Sequence, residues 1–315
     1  MKKTLLSSIA VALLATFGLY NDARAQGQGQ GNGQDEPEII LPKVLHRAFQ
    51  NHDQEANRDA HTPAAKPTRG NGISYHGGPV ILGTTKVFYI WYGNWTGNSA
   101  VSILTALASG IGGSPYFNIN TTYYNGSNIH VSNSVQLAGS TTDNYSRGTS
   151  LSDSAILGVV TDAINSGRLP KDTNALYFVL TSADVTASSG FCTQYCGWHT
   201  HSTIGGSDIK YSFVGNPDRC PSACEIQTTG PNGNAGADGM ASIIAHELEE
   251  TVTDPDLNAW YDTRGQENAD KCAWTFGSTS TASNGSLYNM TFGGRNWMIQ
   301  QNWVNASGGF CAKSF

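Results

Sequence analysis

The stretch "IIAHELEETVTDPDLNAWYD", residues 243–262, sets a histidine and three glutamates inside a helical pattern of apolar residues. At about 100° per residue from His246, Glu250 falls at about 40°, Asp254 at about 80° and Glu247 at about 100°, whereas Glu249 lies near 300° and is expected to face water. Met240, Ile243, Ile244, Leu248 and Val252 define the buried face, so His246 and the carboxylates at 247, 250 and 254 lie along its edge. Carboxylates half-buried without partners are costly, and arginine is scarce in this chain. A divalent ion answers that deficit. His246 and Glu250, four apart on successive turns, can hold one, with Glu247 beside them as general base. The usual arrangement of this kind is H-E-x-x-H, and here glutamate stands in the second ligand position. A third ligand must come from elsewhere. "YDTRGQENADKC" supplies Asp262, Glu267 and Asp270; Glu267 is the choice, with Asp270 orienting it or taking its place. Upstream, "CGWHTH" offers His199 and His201, either of which can join the ion or steady an oxyanion, although an exposed loop is the commoner place for such a histidine. His199 is taken as the catalytic candidate. His76 in "YHGGPV" ranks below both, and Asp254, held out of helical geometry by Pro255, reads as a turn residue.

Other chemistries find less support. No G-x-S-x-G stands at a strand-to-helix turn, and "GIGG" lacks the lysine of a phosphate loop. A glycosidase can use two of these carboxylates, but Glu247 and Glu250 share one helix and cannot flank a glycosidic bond without a partner from another segment.

The elements that must position these groups are legible in outline. Asp238 in "GNAGADGMAS" is expected to cap the helix, and Gly239 and Ser242 to keep the wall beside His246 low enough for substrate. "KVFYIWYGNW" (86–95) and "NALYFVLTSADV" (174–185) read as buried strands. Between them lie two expected helices, Ala100 to Ile111 and Leu151 to Ser166. Short strands such as "RNWMIQQNW" close the chain. The implied fold class is α+β, a mixed sheet packed against helices.

Residues 1–25, with Lys2, Lys3, an apolar run and Ala23-Arg24-Ala25, read as a secretory signal peptide. Residues 26–36 read as a disordered spacer, and 26–70 together as a linker or pro-segment, with one short amphipathic helix expected in "IILPKVLHRAF". Residues 71–315 form a single domain, folded from near Ile73. No later segment reaches the ~20 apolar residues of a membrane span. Charged residues are only 13% and the net charge is −6, so nucleic acid is not an expected partner. The six cysteines, Cys192, Cys196, Cys220, Cys224, Cys272 and Cys311, are expected as disulfides of an exported protein rather than as a zinc-thiolate site. Short loops close most cheaply, which selects 192 with 196, 220 with 224, and 272 with 311.

Taken in order, "YHGGPV", "VFYIWYGNW", "FCTQYCGWH", "CPSAC", "IIAHELEETVTDPDLNAWYD" and "ENADKC" resemble the EXORDIUM-like, phosphate-induced family of secreted plant and bacterial proteins, over roughly residues 73–315. That resemblance implies an extracellular or cell-wall setting and gives no biochemical activity. His246, Glu247, Glu250, Glu267, Asp270 and Cys272 fall on the family-like H-E-x-x-E and E-x-x-D-x-C patterns. Where plant-type sequences tend to carry "SNP", this chain has "TDP". The helix is also similar to that of zincin-type metallopeptidases, which implies a mixed sheet on an active-site helix with Glu247 as general base.

The expectation is a secreted, extracellular or periplasmic, Zn2+-dependent hydrolase acting on peptide, with Glu247 and His199 catalytic and His246, Glu250, Glu267 and Asp270 at the metal. Other divalent ions also suit so oxygen-rich a set. Two alternatives stand beside it: a wall-binding protein whose metal is structural, and a carbohydrate-active hydrolase acting on a cell-wall polymer.

Overall fold

A computed structural model describes residues 38–40 and 72–315. The signal peptide, the spacer and most of the expected amphipathic helix lie outside the described residues. The first two residues of that expected helix, Ile39 and Ile40, lie instead in a strand, β1 (Glu38–Ile40).

Six strands make the central sheet: β1, β2 (Thr85–Tyr92), β3 (Val135–Asp143), β4 (Ala175–Thr181), β5 (Gly197–Ile204) and β6 (Ser207–Val214). Their spatial order is β1-β5-β6-β4-β2-β3. The pairs β2–β3, β2–β4 and β4–β6 are parallel, while β5 pairs antiparallel with both β6 and β1. Strands β2 and β4 are buried on both faces, which is why "VFYIWY" and "ALYFVLT" are continuous apolar runs rather than alternating ones. Phe88 stacks on Tyr177, whose hydroxyl bonds the Pro170 carbonyl beyond α2 (Asp153–Asn165). The next residue, Tyr89, turns to the other face and donates to the Leu104 carbonyl of α1 (Ala100–Gly110). Helices therefore cover both faces.

The hairpin β5–β6 and the edge strand β3 lie in stretches that the sequence reading left without elements. The hairpin turns on Gly205-Gly206, both at positive φ (56° and 76°), the two-residue geometry that matches strand twist. Helix α3 (Ala235–Thr253) packs on β5 and β6 and against α1. Its cap is Asn234, whose side chain accepts from the Ala237 amide, and not Asp238. Asp238 sits one turn inside, buried, and accepts from the amide and side chain of Asn232. Residues from Gly236 to Thr253 are all buried, because the chain after Asp254 wraps the outer side of α3. Glu249 is accordingly 0% exposed, a correction to its expected place in water.

All six cysteines are paired, but as 192–220, 196–224 and 272–311. The first two differ from expectation for a geometric reason. Cys220 precedes and Cys224 ends the single helical turn Pro221–Cys224, so their side chains, four apart, point the same way, toward the loop carrying Cys192 and Cys196. Closing 28 residues instead of 4 costs only about 1.7 kcal/mol of loop entropy, so geometry decides. These two bridges tie the chain entering β5 to the chain entering α3. Among the described residues, no helix is long and apolar enough to cross a membrane.

Candidate metal centre

His199 on β5, His246, Glu247 and Glu250 on α3, and Glu267 and Asp270 on the following loop converge at one place. His246 Nε2 lies 3.0 Å from Glu250 Oε1 and 3.5 Å from Asp270 Oδ1. His199 Nε2 lies 3.0 Å from Glu267 Oε2 and 3.8 Å from Glu250 Oε2. Glu250 thus turns one oxygen to each histidine. Among the described residues, two three-residue groups at this place have ligand atoms mutually within 4.8 Å, His246 with Glu250 and Asp270, and His199 with Glu247 and Glu250; a third, His201 with Asp208 and Asp256, lies apart. His199, His246, Glu247 and Glu250 are 0% exposed, while Asp270 keeps some contact with solvent.

Local structure explains the convergence. On a strand, residues 197, 199 and 201 share a face, here the one that α3 covers. Gly197 lets the helix come close: a Cβ there would sit 2.6 Å from Ile243 Cγ2 and 3.0 Å from Glu247 Oε1. His199 follows into the cluster. His201, one step further, passes it and meets Asp208 (2.8 Å) and, near Lys210, Asp256 beyond the helix end. The loop of Glu267 and Asp270 is fastened by Cys272–Cys311 and by the Asp270 amide donating to Glu250 Oε1 (3.0 Å). Asp270 stands with His246 and Glu250, and Glu267 pairs with His199.

The electrostatics are those of a site short of positive charge. Both Glu247 oxygens and Glu250 Oε2 are buried without a hydrogen-bond partner. Among the described residues, the ion-pair partners of Glu250 are His199 and His246, and Glu247 has none. Burial, with Glu250 and Asp270 adding to it against His246, holds the Glu247 carboxyl well above the usual range. Burial also pushes Glu250 up to about 7, against the opposing pull of His246. Burial pulls His199 down to about 3, helped by His246. For His246, burial disfavours the charged ring, yet Glu250 and Asp270 outweigh it and raise its proton affinity well above the ordinary value.

Several sequence candidates lie elsewhere. Asp254 Oδ1 accepts from the Asn258 and Ala259 amides (2.6 Å each), as a turn residue should. Asp262 closes its own turn and binds Lys271 (2.8 Å). His76 stacks on Tyr261 at the surface. Gly239 packs against Pro217 and Cys224, and Ser242 accepts from the Gln300 amide, so neither opens a path to His246. Two residues of the site escaped sequence reasoning. Gln300 Nε2 lies 2.8 Å from His246 Nδ1 and donates to the Ala269 carbonyl (3.0 Å), fixing the ring from behind. Nothing local in "MIQQNW" marks it. Gly197 did carry a signal, since a glycine inside a strand often marks close approach of another element.

Residues 73–303 match the family described as "Phosphate-induced protein 1 conserved region". Similar curated proteins include EXORDIUM-like 5 of Arabidopsis thaliana, 33% identical over 73% of this chain and 75% of that protein. EXORDIUM-like 3 of the same plant is 31% identical over 73% and 80%, and PHOSPHATE-INDUCED 1 of Nicotiana tabacum 27% over 60% and 67%. No solved structure matches.

Proposed function

The chain belongs to the phosphate-induced protein 1 family, and from its buried carboxylate cluster we propose that it is a secreted metal-dependent hydrolase, most simply a zinc peptidase. One observation carries the reading: both oxygens of Glu247 and Oε2 of Glu250 are fully buried without hydrogen-bond partners, in a cluster where Glu250 faces two histidines. Left as they are, these groups are costly to bury. The donor set fits a divalent ion, all nitrogen and oxygen with no thiolate. His246, Glu250 and Asp270 would hold it. When bound, such an ion supplies Lewis acidity for carbonyl attack by water.

The protein's own part follows from the geometry. Glu247, next to the ligands and not needed as one, has its proton affinity raised by burial, and as general base would take the proton of the attacking water and pass it to a leaving amine. His199, neutral at pH 7, places an N–H among the carboxylates, where it holds Glu267 and can steady developing negative charge. Three disulfides suit an oxidising, extracellular compartment.

A second reading, a structural ion in a non-catalytic protein, has its own support in the complete burial of four of the six groups. Two variants separate them. Glu247→Gln should keep bound metal and lose peptide hydrolysis by about 10²-fold or more. His246→Ala should lose metal and stability together. Full hydrolytic activity in Glu247→Gln, or no metal in the supplemented wild type, refutes the catalytic reading.

A further inference from the structure

We infer that the outer edge of β5 is a binding site for an extended polypeptide running antiparallel to it, and that β1 fills this site in the intact chain. The hydrolase reading enters only as the fate of the bound chain. On its inner edge β5 pairs with β6 along its whole length, Gly197 to Ile204. On its outer edge it pairs with β1 over three positions alone: Ile40 with Gly197, Ile39 with Trp198 and Glu38 with His199.

Those three positions are the part of β5 that serves the carboxylate cluster. Gly197 makes room for Glu247, and His199 belongs to the cluster itself. Residues 197–200 and Ile204 are buried, whereas His201, Ser202 and Thr203 are half-buried or exposed. Among the described residues, no strand pairs with the outer edge from Thr200 to Ile204.

A strand edge recognises main-chain N–H and C=O groups at the spacing of a polypeptide, largely independent of sequence. A polysaccharide has no such ladder to offer, so the edge selects protein over carbohydrate. Direction is fixed as well: the N-terminal side of the ligand lies by His199 and its C-terminal side by Gly197. Since β1 belongs to the same chain, it competes as an intramolecular ligand. A free peptide must displace it, and the intact chain restrains its own site.

The test uses the full chain with Ile39→Pro and Ile40→Pro combined, which removes whichever of the two alternating N–H groups faces β5. A second full-chain variant, Glu38→Gly with Ile39→Gly and Ile40→Gly, retains every N–H. The probe is a fluorescein-labelled peptide of residues 34–44, followed by anisotropy, with amide exchange at 197–199 and hydrolysis of a quenched peptide library read in parallel. Both variants should bind the probe on the order of 10-fold or more tighter than the intact chain. Exchange at 197–199 should quicken in the variants and slow again with probe. Equal probe binding by the intact chain and both variants, or unchanged exchange, overturns the site. Peptide capture by the variants with no cleavage under any divalent ion overturns the hydrolase reading and supports the site.

Discussion

Replacing Glu249 with glutamine tests the interior electrostatics on which the account of α3 depends. Its carboxyl is fully buried, accepting from Tyr116 Oη (2.9 Å) and Asn120 Nδ2 (3.4 Å). Burial raises its pKa from 4.5 to about 8 against the contrary pull of those hydrogen bonds and of His246. The sign follows from proton counting. Below pH 4.5 both folded and unfolded chains hold the proton, and the group is neutral to stability. Between 4.5 and about 8 the unfolded chain releases it while the folded chain keeps it, so stability falls as pH rises; above about 8 the loss is complete. A shift of this size corresponds to a ceiling of about 5 kcal/mol. Glutamine keeps the acceptor for Tyr116 but never ionises. Urea unfolding of both proteins from pH 5 to 9, with chelator present, isolates the group, because the other raised carboxyls are common to both. The variant should gain about 2–5 kcal/mol relative to wild type across that range. A difference that stays flat, or that moves toward the wild type, would show that Glu249 ionises like a surface carboxylate, and the burial argument for this helix would fail.

Three further outcomes follow. Zn2+ at about 100-fold over its Kd should add about 2.7 kcal/mol, a rise in Tm of roughly 5–10 °C. Affinity should climb as pH rises through 7, where Glu250 gives up its proton, and go on climbing as His246, whose proton affinity is raised, gives up its own; thermal scans with and without chelator check it, and an unmoved Tm refutes it. Gly197→Ala should cost about 1–3 kcal/mol, because the new Cβ lies 2.6 Å from Ile243 and 3.0 Å from both Glu247 and the Phe213 carbonyl. Metal affinity should fall in the same variant, and calorimetric titration that finds it unchanged would separate Gly197 from the site. Cys272→Ser with Cys311→Ser opens a loop of 39 residues, a loss of about 4 kcal/mol by chain entropy, and should loosen the segment of Glu267 and Asp270. Amide exchange that stays slow from 267 to 272 would contradict that tether.

What the sequence disclosed was whatever a short window determines. Strands β2 and β4 are β-branched and aromatic runs, and α1 and α2 fall within about two residues of their expected bounds. The cluster was legible because its chemistry is concentrated: His246, Glu247 and Glu250 within one turn, and Glu267 and Asp270 before a cysteine. What failed depended on packing between distant segments. The cysteine pairing turned on which way one helical turn faces, and Gln300 reaches His246 only because the C-terminal chain folds back over α3. The error at Glu249 has a more general cause. A helical wheel places one residue in water by assuming that some face of the helix meets water. Helix α3, "AGADGMASIIAHELEETVT", contains no lysine, arginine, glutamine or asparagine in 19 residues. A solvated face usually carries such side chains, so their absence already marked a helix enclosed on every side. In such a helix each carboxylate needs an internal partner: Tyr116 and Asn120 serve Glu249, the histidines serve Glu250, and Glu247 has only the cluster it faces.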